Sequence, residues 1–123
     1  FADTAIWMPK ERVLFAASAA NVRRFINLRP SVVIPDVLAS FKLMKSLDPA
    51  VVITGHGGVT TTKVFDEYEA FYTLLLKRVG DMAAQGKTLA EIKKDLKMPE
   101  YADWYDQERL GASIDAAFRS VKR

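Results

Sequence analysis

The chain has 123 residues, half of them apolar and 27% charged, with a formal net charge of +3, which is the profile of one ordinary globular domain large enough to bury a core. No apolar run approaches the roughly 18 residues of a membrane-spanning helix, so no membrane partner is expected. Cysteine is absent, which excludes disulfides, thiolate zinc sites and cysteine nucleophiles.

The basic residues are dispersed: Arg23, Arg24 and Arg29, then Lys93, Lys94 and Lys97, then Arg119, Lys122 and Arg123. A nucleic-acid binder shows a denser basic stripe interleaved with exposed aromatics, so a solvated surface and no nucleic-acid partner are expected. The lack of cysteine fits a reducing, cytoplasmic setting, although periplasmic and secreted proteins without cysteine exist. The chain opens on Phe1 rather than Met and without a charged-then-apolar leader, so it reads as a processed product or a piece of a longer protein.

Residues 4–8, TAIWM, and 12–17, RVLFAA, are short β-prone apolar runs joined by the polar, proline-led PKER, and they read as a β-hairpin. Their near-continuous apolar character suggests strands covered on both faces. SAANVRRFINLRPS has few periodic signals and reads as an irregular connection. Pro35 suits a helix start, and IPDVLASFKLMKSLDP carries Leu38, Phe41, Met44 and Leu47 at spacings of three. Asp48-Pro49 stops that helix, and AVVIT then reads as a buried strand of the kind that follows a crossover helix.

The glycine turn of VVITGHGGVTTTK comes next, at residues 51–63. From about Thr62 a long amphipathic helix is expected. Val64, Tyr68, Phe71, Leu75, Val79 and Met82 lie on one face, with Phe65, Tyr72 and Leu76 beside them. Gly86 suits its C-terminus, and Thr88 with Glu91 forms a capping box for a helix through LAEIKKDLKM that Pro99 ends. A last helix spans roughly 105–121, with Leu110, Ile114, Ala117, Phe118 and Val121 inward. Trp104, with Tyr101 and Tyr105, reads as a packing corner between C-terminal helices. The fold class is therefore α/β or α+β, a short mixed sheet covered by helices with a helical C-terminal third. It forms a single domain over 1–123, with sheet and crossover helix in 1–60 and a helical extension in 61–123. Strands buried on both faces ask for more sheet than this chain supplies, so it reads as half of something.

His56 is the only histidine. Flanked by Gly55, Gly57 and Gly58 after a strand, it can be a metal ligand, an acid/base, or a half-exposed passenger of the turn. The P-loop spacing fails, because Lys63 follows three threonines rather than glycine. Backbone amides near Thr61 and Thr62 leave a phosphate site of the general helix-terminus kind open. None of the serines at 18, 31, 40, 46, 113 and 120 stands in a G-x-S-x-G elbow. Nothing in their spacing selects Asp3, Asp36 or Asp66 as a base. One imidazole without thiolates cannot hold zinc alone.

Taken together, ADTAIWMPKERVLFAAS, FKLMKSLDPAVVITGHGG, the long helix and YADWYDQERL resemble the C-terminal half of a metallo-β-lactamase-fold hydrolase, over almost the whole chain. The resemblance implies half of an αββα sandwich, with one or two metal ions, usually zinc, between the sheet edges. It implies a metal-activated water attacking an ester, amide, thioester or phosphate-type bond of a small-molecule substrate. His56 matches the Gly-His-Gly histidine that binds the second metal, and Asp3-Thr4 matches the Asp-Thr that follows another ligand histidine. The family's bridging aspartate falls on Ala17-Ser18. Ser18 is a poor metal ligand at neutral pH, and the family's H-x-H-x-D-H motif lies in the N-terminal half, outside this chain. The expectation is a chain inactive by itself, binding little or no zinc. Its partner would be the missing N-terminal half or a second copy as a homo-oligomer. The alternative is a non-catalytic domain that associates through an exposed sheet.

Overall fold

The computed structural model describes residues 5–17, 21–55 and 58–121. It contains a four-stranded mixed sheet and four helices, an α+β arrangement with a helical C-terminal third. Strands β1 (Ile6–Met8) and β2 (Val13–Ala17) form the expected antiparallel hairpin. Helix α1 (Ile34–Ser46) then lies between β2 and β3 (Val51–Thr54), which run parallel. A two-residue strand, β4 (Val59–Thr60), returns antiparallel to β3 and gives the order β1-β2-β3-β4. Helices α2 (Lys63–Ala84), α3 (Leu89–Asp95) and α4 (Leu110–Val121) follow.

The long helix follows its pattern. Val64, Phe65, Tyr68, Phe71, Tyr72, Leu75 and Val79 are buried, while Leu76 and Met82 are half-buried at the border of the stripe. Helix α3 opens on the capping box: Thr88 Oγ1 accepts from the Glu91 amide at 3.2 Å, and Glu91 Oε1 accepts from the Thr88 amide at 3.0 Å. The helix ends at Asp95, before Pro99, which instead opens a short 3₁₀ turn. In α1 the buried stripe is Ile34, Val37, Phe41 and Met44, spaced three, four and three, as 3.6 residues per turn requires. A strict spacing of three drifts off the face, so Leu38 is only half-buried and Leu47 is exposed. Val121 is likewise exposed, at the fraying end of α4.

The irregular connection supplies core. Phe25, Ile26, Leu28 and Val32 are buried without regular structure. Main-chain bonds to the segment before α4 hold this stretch: Tyr105 N donates to Arg23 O at 2.8 Å and Phe25 N to Tyr105 O at 3.1 Å, a parallel bridge. Arg24 adds an ion pair to Asp106 at 2.6 Å, and Arg23 pairs with Asp103. Trp104 sits in the packing corner, 7% exposed, with its ring against Phe25, Phe71, Tyr68 and Tyr101. Tyr105 points outward under the Arg24 guanidinium.

The sheet differs from expectation in two respects: it gains the short fourth strand β4, beyond the three expected, and its faces are unequal. Its strands alternate instead of being buried on both faces. Trp7, Leu14, Ala16 and Val52 turn toward the helices and pack in the core. The other face carries two cross-strand rows. Ile6, Phe15, Ile53 and Val59 are successive register partners across all four strands, and Met8, Val13 and Val51 form the second row. Ile6 is 56% exposed and Val59 69%. The helices cover one side only, so the apolar content that suggested double burial lies open on the other.

Candidate functional site

The turn after β3 is built from its flanks. Gly58 O accepts from both the Thr54 amide, at 3.0 Å, and Thr54 Oγ1, at 2.7 Å. Gly58 has φ +84 with no atom near a would-be Cβ, so it is the left-handed backbone, not space, that calls for glycine there. The paired Thr54 and Gly58 thus close a short loop at the carboxyl end of β3. His56 itself lies outside the described residues, as do Ser18, Asp3 and Thr4.

The strand ends that precede or follow these candidates share one edge. Ala17 and Thr54 are register partners at the carboxyl ends of parallel β2 and β3, and Ile6, at the start of antiparallel β1, pairs with Phe15 beside them. Ser18 follows the first of these ends in sequence, His56 follows the second, and Asp3-Thr4 precedes the third. The edge beyond the carboxyl ends of parallel strands is the usual place for ligands in open α/β sheets.

The remaining candidates do not converge there. Asp66 is paired with Lys45 at 2.7 Å between α1 and α2, and Glu69 meets the same ammonium at 3.3 Å. Those two carboxylates, Asp66 foremost, raise the Lys45 pKa. Asp36 sits in the first turn of α1 on the surface. Ser40 and Ser46 donate back to the carbonyls of Asp36 and Leu43 within their own helix, the usual local alternative for serine in a helix. Near Thr61, the Lys63 amide donates to the threonine hydroxyl at 3.3 Å. Among the described residues no group of three or more His, Cys, Asp or Glu is gathered as a metal site requires.

Two buried tyrosines behave differently. The Tyr68 hydroxyl accepts from the Asn21 amide at 3.0 Å and has the Asn21 and Arg24 carbonyls as acceptors at 2.6 Å each. It pins the irregular connection to the long helix. The Tyr72 hydroxyl and Ser113 Oγ are buried without a hydrogen-bond partner among the described residues, although Ser113 approaches the phenol. Burial raises both tyrosine pKa values. The hydrophobic pattern placed both rings correctly but is blind to what a hydroxyl meets. Nothing in the sequence of the loop, which mixes Asn21, Arg23, Arg24, Asn27 and Arg29 with its apolar residues, marks the Tyr68 anchor.

No family model matches this chain, and no curated protein matches it.

Proposed function

We propose that this chain is the C-terminal portion of a metallo-β-lactamase-fold, metal-dependent hydrolase acting on a small-molecule substrate, with its open sheet face packed against the N-terminal half. The observation that carries the reading is the one-sided sheet. One apolar row of register partners spans all four strands and a second spans three, while Trp7, Leu14, Ala16 and Val52 pack into the core from the other face. A sandwich half requires such a surface, whereas a free-standing α+β domain is served better by polar outward positions. The common edge that gathers the strand ends next to Asp3, Ser18 and His56 supports the same reading.

The dimensions favour a covalently linked half over a second copy. Four strands at about 4.8 Å spacing and two to five residues long present roughly 220 Å² of face. A stable association of separate chains needs on the order of 800 Å² from each partner. A layer in the same polypeptide forms on much less contact, because its effective concentration is already high.

The donor set of this chain alone does not fit zinc. A structural or catalytic site takes at least three protein ligands, and this chain offers one imidazole, a serine in place of the bridging aspartate, no thiolate, and carboxylates that are not gathered into such a group among the described residues. The other ligands would have to come from the N-terminal half, and the chain by itself should hydrolyse nothing.

The test is metal analysis of the protein carrying its upstream half, beside its His56→Ala variant. Bound zinc that falls in the variant is the expected result. Unchanged zinc would remove the ligand role. A reading frame that opens near Phe1, with a stable dimer broken by Val59→Glu, would overturn the hydrolase reading in favour of a self-associating domain.

A further inference from the structure

We draw no further inference here: the strongest candidate, the exposed apolar ridge that Ala39, Leu43 and Leu47 form along the outer face of α1, carries nothing because nothing in the structure shows what covers it.

Discussion

Tyr68 and Tyr72 lie one helical turn apart on the buried face of α2, and removing the hydroxyl from each should have opposite consequences. Tyr68→Phe removes the hydroxyl that accepts from the Asn21 amide, at a residue only 3% exposed, and the one proton that the Asn21 and Arg24 carbonyls share. Removing one partner of a buried hydrogen bond costs about 1–3 kcal/mol, lost bond included. The expected destabilisation is therefore about 1–3 kcal/mol. For a chain of this size that is a fall in Tm of roughly 3–12 °C. Tyr72→Phe removes a hydroxyl that is buried with no hydrogen-bond partner in reach among the described residues, although Ser113 approaches it. Burying an unbonded hydroxyl costs about 1–3 kcal/mol, and its removal forfeits only a few dispersion contacts. The variant should be neutral or more stable by about 1 kcal/mol. Urea unfolding followed by far-UV circular dichroism measures both, with unchanged m-values confirming that the native state is intact. Equal losses in the two variants would refute the reasoning, as would a Tyr68→Phe cost below about 0.5 kcal/mol. There is also an alkaline signature. Burial raises the folded-state pKa of both phenols, so the stability tied to their neutral forms is complete below the ordinary tyrosine value near about 10. It falls as pH rises above that value, and each Phe variant should flatten part of the decline.

Leu14→Ala, at 1% exposure on the covered face of β2, should cost about 2–5 kcal/mol. Ile6→Thr, on the open face of β1, should change stability by less than about 1 kcal/mol, and similar losses for the two in thermal melts would contradict a one-sided sheet. Thr88→Ala should lower stability by about 1 kcal/mol through loss of the α3 cap. Glu91, the other half of that box, has its pKa lowered chiefly by the Thr88 backbone bond. Its contribution is therefore present above the ordinary glutamate value and is lost as pH falls through the depressed one. Denaturation midpoints from pH 7 down to 3 should show a shallower acid decline in Glu91→Ala than in the parent. Ser120→Ala removes the acceptor of the Ile34 amide, at 2.9 Å, and should cost about 1 kcal/mol in the same unfolding assay.

The elements with strong local signals were legible in the sequence: the hairpin, the long helix with its aromatic stripe, the capping box and the Trp104 corner. Their signals are periodicity and local hydrogen-bond chemistry, which survive without knowledge of the rest of the chain. In α1 a strict spacing of three shares only Phe41 and Met44 with the buried stripe, taking Leu38 and Leu47 in place of Ile34 and Val37, which stand beside Pro35 and Asp36. The buried segment from Asn21 to Val32 was legible only as irregular, since its order comes from residues about 80 positions away, such as Tyr105. The sheet shows the sharpest limit. Continuous apolar strands signal coverage on both sides, but only the fold shows which side this chain covers itself. The two candidate metal positions, His56 and Ser18, rest on resemblance alone, and the described backbone contributes the shared edge of their flanking strands.

Helix α1 starts without a side-chain cap from its own N-cap residue, Val33. Its first amide instead donates to Ser120 in α4, and Arg119 donates to the Val32 carbonyl at 2.6 and 3.1 Å. A crossover helix that sets the β2–β3 pairing is therefore finished by residues that leave the ribosome about 85 positions later. The start of α1 thus gains its last hydrogen bonds only once α4 is made, and the slow-exchanging amides there should gain protection together with α4 rather than before it.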